Sequence, residues 1–341
     1  MLYPLFRPLL FALDPEVAHD VALASLDAAA AWGIAQLIAP RVPASPVEVM
    51  GLKFPNRVGL AAGLDKNAAY VDGLAALGFG FIECGTVTPR PQSGNPKPRL
   101  FRLPEAGALI NRLGFNNEGV ERFLASVARA RYGPKSGGIL GVNIGKNFDT
   151  PNQRAVDDYL TCLRAVYPHA SYVTVNISSP NTTGLRELQT DTVLEALLAT
   201  LKAEQTKLAQ STGKYTPLLV KIAPDLAAED IKRIARTLLA QRIDGVVATN
   251  TTVDRSGIAG VKHAEEAGGL SGRPLKDRST AVIRALATEL QAALPIIGVG
   301  GIMSGADAQE KIAAGATLVQ IYTGLIYKGP ELIAEIGRAL A

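Results

Sequence analysis

Eight short, β-branched runs recur along the chain from residue 58 onward, separated by longer segments with helical periodicity. Alternating strands and helices indicate parallel βαβ units, and eight such units indicate a closed barrel. An open doubly wound sheet is the main alternative, but no G-x-G-x-x-G sequence follows the first run. We therefore predict an α/β fold, a (β/α)8 TIM barrel. Its predicted strands are Val58–Leu60, Phe79–Glu83, Ile139–Asn143, Tyr172–Ile177, Leu218–Ile222, Gly245–Thr249, Ile296–Val299 and Leu318–Tyr322, with helices that include Asn152–Tyr167, Thr192–Ala209 and Ala227–Ala240.

The N-terminal residues 1–39 lie outside this alternation. Residues 2–13 are apolar, but two prolines and an arginine interrupt them, and the run is too short to cross a bilayer. Asp14, followed by Pro and Glu, has the order of residues typical of a helix start. We expect residues 1–39 to form a helical extension that packs on the barrel or also presents an apolar face to a membrane. Residues 40–341 form the barrel domain in this interpretation.

The composition excludes several classes of protein. With 341 residues, 48% hydrophobic and 19% charged, the chain has an ordinary globular composition. A net charge of +4 without a Lys/Arg block gives no sign of a nucleic-acid partner, although it modestly favours anionic ligands or an anionic membrane surface. Cys84 and Cys162 are the only cysteines, which fits a reducing compartment. The three histidines are far apart in sequence, so we predict no metal site.

Polar or glycine-rich clusters follow nearly every predicted strand. In a parallel barrel the carboxyl ends of the strands meet at one face, where the active site lies. Loops needed only for turning would not repeatedly supply Lys, Asn and Thr, so the clusters predict a ligand site at that face. They are A-G-L-D-K from Ala62, G-T-V-T-P-R from Gly85, N-I-G-K-N from Asn143, N-I-S-S-P-N from Asn176, K-I-A-P from Lys221, T-N-T-T from Thr249, G-V-G-G from Gly298 and Y-T-G from Tyr322.

The last two clusters and two lysines indicate an anionic ligand. The glycines from Gly298 onward fit a phosphate site after the seventh strand, with the Tyr322 loop as its partner, although tight turns would explain them as well. Lys66 and Lys221 end different strands and would face the same cavity. They could stabilise negative charge on a reduced ring or a carboxylate, or they could be solvated lysines at the rim.

Four asparagines and a serine complete the predicted site. Asn111, Asn176, Asn181 and Asn250 would converge on one cavity, a costly arrangement unless a polar ligand satisfies their amides. The amides of Asn176 and Asn181 suit a flat heterocycle with alternating N–H and C=O groups. For Asn111 a purely structural loop role is equally consistent with the sequence. Ser179 offers a hydroxyl that could move a proton, but no histidine lies near a strand end to act as its base. A serine- and asparagine-rich turn that satisfies its own backbone is the alternative.

The motifs together resemble the dihydroorotate dehydrogenase family over essentially the whole chain. They include G-L-A-A-G-L-D-K, N-R-L-G-F-N-N, N-I-G-K-N, N-I-S-S-P-N-T, K-I-A-P-D-L, T-N-T-T and I-G-V-G-G-I, in the order of that family. The resemblance implies an FMN-containing barrel that oxidises dihydroorotate to orotate in pyrimidine (UMP) synthesis. Soluble members carry a cysteine base where this chain has Ser179, so the serine implies the membrane-associated, quinone-reducing branch, class 2. Residues 1–39 resemble the extension that forms an apolar path for the quinone in that branch.

The resemblance also implies the roles of individual residues. Ser179 is the expected catalytic base, and His19 and Arg102 match polar positions beside the quinone path. The expected FMN contacts are Ala62, Gly63, Lys66, Thr86, Asn143, Asn176, Lys221, Thr249, Gly272, Gly301, Tyr322 and Thr323. The expected contacts to dihydroorotate or orotate are Lys66, Asn111, Arg112, Leu113, Gly114, Phe115, Asn176, Asn181, Asn250 and Thr251. We expect a monomer that binds the cytoplasmic side of the cell membrane peripherally through residues 1–39.

Other functions remain open from the sequence. A soluble FMN barrel could pass electrons to fumarate or NAD, although Ser179 and the N-terminal helices argue against it. A flavin barrel that reduces uridine in RNA would need a basic face that the modest charge does not support. A flavin-free phosphate-binding barrel, such as an isomerase or aldolase, is a further alternative. A non-enzymatic membrane adaptor would explain residues 1–39 but not the predicted set of Lys and Asn side chains.

Overall fold

A closed barrel of parallel strands forms the centre of the computed structural model, which describes residues 3–35 and 39–341. Residues 1, 2 and 36–38 of the predicted extension lie outside the described residues. The barrel is closed because the strand Leu318–Ile321 pairs with Val58–Leu60, and Leu218–Ile222 pairs with Gly245–Ala248. The strands are β1 (Val47–Val49), β2 (Leu52–Phe54), β3 (Val58–Leu60), β4 (Phe81–Val87), β5 (Leu100–Leu103), β6 (Ala108–Asn111), β7 (Leu140–Ile144), β8 (Tyr172–Asn176), β9 (Leu218–Ile222), β10 (Gly245–Ala248), β11 (Gly269–Gly272), β12 (Ile296–Val299) and β13 (Leu318–Ile321).

The barrel prediction is confirmed, because all eight predicted strands form the ring β3, β4, β7, β8, β9, β10, β12 and β13. The bounds of β3, β9 and β12 are the predicted ones, and most of the others differ by one residue. β4 differs more, since it begins at Phe81 rather than Phe79 and continues to Val87. Its pairing with β7 continues across a register shift between Gly85 and Val87. Thr86 therefore lies within the end of a strand rather than in a loop.

Amphipathic helices surround the barrel and bury their apolar faces against it. In the helix Ala228–Ala240, for example, the buried residues Ile231, Ile234, Ala235 and Leu238 recur at the helical period. The three predicted helices are present, with ends that differ by a few residues. The helices of the barrel domain are Val71–Ala75, Gly119–Arg129, Ala155–Val166, Asp191–Thr212, Ala228–Ala240, Lys276–Leu290, Gly305–Ala313, Thr323–Lys328 and Glu331–Ala339.

Apolar side chains fill the amino end of the barrel, which the hairpin β1–β2 covers. Phe54 of β2 packs edge-on against Phe81 at 5.2 Å between ring centroids. Tyr172 lies inside the barrel because Gly141 on the neighbouring strand has no side chain: a Cβ there would lie 2.2 Å from the Tyr172 ring. The closed amino end leaves the opposite end of the barrel for a ligand.

Two N-terminal helices, α1 (Tyr3–Ala12) and α2 (Pro15–Ala31), pack on the outside of the barrel. The Asp14 carboxylate accepts hydrogen bonds from the backbone N–H groups of Glu16 at 2.9 Å and Val17 at 3.2 Å, so the predicted N-cap is confirmed. The Glu16 carboxylate in turn accepts hydrogen bonds from Nε and Nη2 of Arg99, at 2.9 and 3.0 Å. Among the described residues no helix is long and apolar enough to cross a membrane.

A second sheet lies beside the barrel, and the sequence analysis did not predict it. β5, β6 and β11 form an antiparallel sheet in which β6 is central. Asn111, which we expected in a loop, is the last residue of β6 and is paired with Gly269 and Leu100. The sheet thereby fixes the position of an amide that we predicted to contact the substrate.

Candidate active site

A cavity lies at the carboxyl end of the barrel, the end at which barrels of this kind bind their ligands. Residues from the ends of seven barrel strands and from β6 and β11 line it. The predicted residues that line it are Ala62, Gly63, Lys66, Thr86, Asn111, Leu113, Gly114, Phe115, Asn176, Ser179, Asn181, Lys221, Thr249, Asn250, Thr251, Gly272, Gly301, Tyr322 and Thr323. The structure thus brings together side chains that are up to 261 positions apart, as between Ala62 and Thr323.

Two of the predicted FMN and substrate contacts, Asn143 and Arg112, do not line this cavity. The Asn143 side chain lies behind its wall, fully buried, where it accepts a hydrogen bond from the Thr86 hydroxyl at 2.6 Å. The Arg112 guanidinium faces away from the cavity and pairs with the Glu266 carboxylate at 2.7 Å, over the ring of Phe101. Asn143 therefore orients a residue of the wall, whereas Arg112 braces the loop that follows β6.

Hydrogen bonds between side chains hold the amides of the wall in fixed orientations. Asn176 donates to the Thr86 hydroxyl at 3.0 Å and to the Asn143 carbonyl oxygen at 3.1 Å. Asn181 donates to the Asn111 carbonyl oxygen at 3.1 Å, and Asn250 donates to the Ser178 hydroxyl at 3.0 Å. Hydrogen bonds within the protein therefore orient the asparagine set predicted from the sequence, which favours recognition of a flat polar ring.

Two lysines bring positive charge to the cavity. Within the described residues, no hydrogen bond or ion pair satisfies the ammonium groups of Lys66 and Lys221. Burial, with the positive charge of Arg99, lowers the pKa of Lys66 to about 8. Burial also lowers the pKa of Lys221, and the negative charge of Glu83 opposes that shift. Lys221 is buried and Lys66 is half-buried, and an ammonium group without a partner is costly to shield from water, so both lysines indicate an anionic or electron-rich ligand.

A buried carboxylate, which we did not predict as a site residue, lies beneath the cavity. Glu83 is fully buried inside the barrel and accepts hydrogen bonds from Asn143 at 2.8 Å, Tyr172 at 3.0 Å and Gln320 at 2.8 Å. Gln320 also lines the cavity, so this network supports its floor. The signal in the sequence was a glutamate inside an otherwise apolar strand, F-I-E-C, which an ordinary core would not contain.

Ser179 lies at the wall with its side chain directed by the turn that follows β8. It is 5% exposed, and its hydroxyl oxygen accepts a hydrogen bond from the backbone N–H of Asn181 at 3.2 Å. That donor would stabilise negative charge on the oxygen. Among the described residues no histidine lines the cavity, so any proton that Ser179 accepts must leave through another group or through water.

A second cavity lies between the helices α1 and α2 and the barrel domain. Its lining is mainly apolar, and His19 and Arg102 both contribute to it, as does Tyr322, which also lines the first cavity. Burial and the positive charge of Lys66 lower the pKa of His19 to about 4, so the imidazole is neutral at pH 7. The Arg102 guanidinium donates to the carbonyl oxygens of Leu10, Phe11 and Leu13 at 2.8 to 3.3 Å.

Comparison with known proteins identifies the family. The family model described as dihydroorotate dehydrogenase matches residues 45–341. The chain is 60% identical over 341 residues to the dihydroorotate dehydrogenase (quinone) of Dechloromonas aromatica (strain RCB), covering 100% of this chain and 98% of the relative. It is 62% identical over 340 residues to the enzyme of the same name from Burkholderia pseudomallei (strain 668), with 100% and 98% covered.

Solved structures agree with this assignment. The ligand-free DHODH of Eimeria tenella superposes with a TM-score of 0.86 at 40% identity, over 96% of this chain and 94% of that chain. The same enzyme in complex with ferulenol gives a TM-score of 0.85 at 39% identity, over 96% and 90%. The family resemblance read from the motifs is therefore confirmed, and the chain belongs to the dihydroorotate dehydrogenase family, on the branch of the quinone enzymes.

Proposed function

We propose that the protein oxidises dihydroorotate to orotate in UMP synthesis, with FMN as its prosthetic group and a membrane quinone as its electron acceptor. The observation that carries this proposal is a pair of adjoining cavities that share Tyr322: the wall of the first carries two lysines and four asparagines, and the second is mainly apolar. A polar substrate and an apolar acceptor can then reach the same redox group from separate sides. The names of the relatives support the same reaction.

The residues of the polar cavity fit FMN. Gly301, which has a positive φ of 74°, lies in the loop after β12, and Thr323 is the first residue of the helix after β13; barrels commonly bind phosphate at these positions. A Cβ on Gly301 would lie 2.3 Å from the Cα of Lys276, so only glycine permits this loop. Lys221, with no partner among the described residues, would hold the electron-rich edge of the ring system. FMN would supply the acceptor for the hydride.

The remaining polar residues fit dihydroorotate. Lys66 would pair with its carboxylate, and the oriented amides of Asn111, Asn176, Asn181 and Asn250 would match the N–H and C=O groups of its ring. The ring carbon next to the carbonyl carries an acidified proton. Ser179 would accept that proton, with the Asn181 N–H holding the serine oxygen in place. The Arg112 side chain does not face this position and would act only through its backbone.

The apolar cavity and the N-terminal helices fit a quinone at a membrane. A neutral His19 and the apolar lining would accept a quinone ring, with Arg102 beside it. The outer surface exposes large apolar residues, Leu5, Phe6, Leu9 and Trp32, whose exposed fractions are 54 to 82%. In this proposal residues 1–39 are a separate quinone and membrane segment, residues 40–341 are the FMN domain, and a monomer binds the cytoplasmic side of the membrane.

An absorbance spectrum tests cofactor and substrate together. The purified protein should be yellow, anaerobic dihydroorotate should bleach the flavin band, and a quinone should restore it. Fumarate and NAD should leave the bleached form unchanged, which separates this function from that of the soluble flavin barrels. A colourless protein, or a flavin band that dihydroorotate does not bleach, would contradict the proposal.

A further inference from the structure

Arg186 makes contacts that the proposed chemistry does not yet use. Its guanidinium donates to the Ser178 carbonyl oxygen at 3.1 Å, to the Thr251 carbonyl oxygen at 2.9 Å and to the Asp225 carboxylate at 2.9 Å. Arg186 is not among the residues that line the cavity. All three of its nitrogen atoms are therefore committed to protein acceptors rather than to a ligand.

These acceptors belong to three different loops of the active site. Ser178 precedes the proposed base Ser179 in the loop after β8, and Thr251 is a cavity residue in the loop after β10. Asp225 belongs to the loop after β9, four residues beyond Lys221. One side chain thus fastens together the loops that carry the base, a proposed substrate contact and a charged residue of the cavity.

Asp225 has further partners, including an ion pair with Arg278 at 3.6 Å. Its carboxylate accepts hydrogen bonds from the Thr252 hydroxyl and from the backbone N–H of Val253, the latter at 3.0 Å. The Arg186 and Asp225 side chains are 25% and 14% exposed, so water screens their ion pair less than it screens a surface pair. Arg186 and Asp225, which we call the loop clamp, form a fixed junction rather than a solvated contact.

We propose that the loop clamp positions Ser179 for proton transfer. Arg186 holds the peptide group next to Ser179 against the Thr251 loop, and Asp225 holds Arg186. The inference rests on the proposed function and deepens it, because it assigns a positioning residue to the proton-transfer step. A displacement of the base by about 1 Å can slow a reaction by a factor of about 100.

The test is the rate of flavin reduction by dihydroorotate in stopped-flow experiments with the full-length holoenzyme. We expect Arg186→Ala to slow this rate about 10- to 100-fold, since the base loses its fixed position. In the Ser179→Ala background the same change should slow the rate less than about threefold, because the base it positions is already absent. Arg186→Lys, which keeps the pair with Asp225 but cannot reach both carbonyl oxygens, should lie between Arg186→Ala and the wild type.

Two measurements other than the rate separate positioning from general damage. The variants should retain FMN after dialysis, and titration with orotate should give an affinity within about threefold of the wild type. Arg164→Ala is the matched control, because Arg164 pairs with Glu204 at 2.7 Å on the outer helices, away from the cavity. It should leave all three measurements unchanged.

Each outcome decides the inference. A wild-type rate in Arg186→Ala, or an equal slowing in the Ser179→Ala background, would overturn it. If Arg186→Ala loses FMN, then Arg186→Lys and Asp225→Asn replace it, and wild-type rates in both would overturn the inference equally. Failure of dihydroorotate to bleach the wild-type flavin would instead contradict the proposed function, whatever the variants do.

Discussion

Ser179 is the side chain whose removal should separate chemistry from binding. Ser179→Ala removes the hydroxyl but leaves the lysines and asparagines of the cavity in place. We expect the variant to retain FMN and to bind orotate, while flavin reduction by dihydroorotate slows about 100- to 10,000-fold, the usual contribution of a positioned base. The measurement is anaerobic stopped-flow absorbance at the flavin band, together with an orotate titration.

The neighbouring Ser178 provides the matched comparison. It is fully buried and does not line the cavity. Its hydroxyl donates to the Asn176 side-chain oxygen and accepts a hydrogen bond from the Asn250 amide. Ser178→Ala should therefore change the reduction rate much less than Ser179→Ala does. A Ser179→Ala protein that is reduced at nearly the wild-type rate would remove this residue from the role of base.

His19 should make the stability of the protein depend on pH. Its folded-state pKa of about 4 lies below the 6.5 expected for the unfolded chain, so protons bind the unfolded state more tightly. The buried neutral imidazole therefore carries no penalty above pH 6.5, and stability is lost as the pH falls from 6.5 toward 4. At pH 5 this linkage amounts to about 2 kcal/mol.

His19→Gln tests this linkage, because glutamine is polar but does not titrate. The free energy of unfolding, measured with urea, should fall between pH 7 and pH 5 by about 2 kcal/mol less in the variant than in the wild type. Asp65 and Glu16, which also titrate, are present in both proteins and cancel in this difference. The same pH dependence in both proteins would show that His19 binds protons equally in its folded and unfolded states.

At the scale of single residues, the sequence predicted which chemical groups would meet but not which way each side chain points. Lys66, Lys221 and Asn176 were predictable because they end strands of a parallel barrel. Arg112 was assigned to the cavity by its position in a motif, yet its side chain pairs with Glu266. Arg186 was missed because its three acceptors belong to segments up to 65 positions away, which no local pattern reveals.

At the scale of elements, periodicity decided what could be predicted. The barrel strands were recognised because each is a compact apolar run between helical segments, and β3, β9 and β12 have the predicted bounds. The hairpin β1–β2 and the sheet of β5, β6 and β11 were missed. β11 pairs with β6 across more than 150 positions, a tertiary contact that no local pattern reveals. β1, β2, β5 and β6 pair locally, but with three or four residues each they are too short for an alternating pattern to stand out.

Helix α1 should depend on Arg102 for its attachment to the barrel. The Arg102 guanidinium donates to carbonyl oxygens at the C-terminal end of α1 and lies 4.8 Å from the Phe11 ring centroid. Arg102→Ala should leave those carbonyl groups without a cationic donor and increase the local opening of α1 by about 1–2 kcal/mol. Hydrogen–deuterium exchange of residues 3–12 should accelerate about 5- to 30-fold.

The control for this variant is Arg122→Ala, which removes an arginine that forms an exposed ion pair with Glu118, the residue that precedes its helix. Exchange in α1 should not change in that protein. Unchanged exchange in Arg102→Ala would show that the Tyr3 and Arg7 contacts to the barrel are sufficient to hold α1. The main role of Arg102 would then be in the lining of the second cavity, where we propose that the quinone binds.

At the scale of the whole molecule, the family resemblance implied an apolar path formed by residues 1–39, but the meeting of two cavities at Tyr322 could not be predicted from sequence. The motifs indicated a polar site at the carboxyl end of the barrel, and the apolar N-terminal residues indicated helices. The second cavity exists only because α1 and α2 pack beside β5 and the helix Thr323–Lys328, which is a contact between distant parts of the chain. Its function as a quinone path remains a proposal that depends on this packing.

The outer face of α1 should bind the membrane, and a double substitution can test this without removing a cavity wall. Leu5 and Leu9 are 70% and 67% exposed and do not line the second cavity. Leu5→Gln/Leu9→Gln should lose several kcal/mol of apolar transfer energy at a lipid surface. We expect weaker co-sedimentation with phospholipid vesicles and slower turnover with a long-tailed quinone, with unchanged flavin reduction by dihydroorotate.

The control is Val193→Gln/Leu239→Gln, at exposed apolar positions on barrel helices, which should change none of these measurements. Equal vesicle binding by the two double variants would exclude α1 as the membrane contact, because only the first variant loses apolar surface from α1.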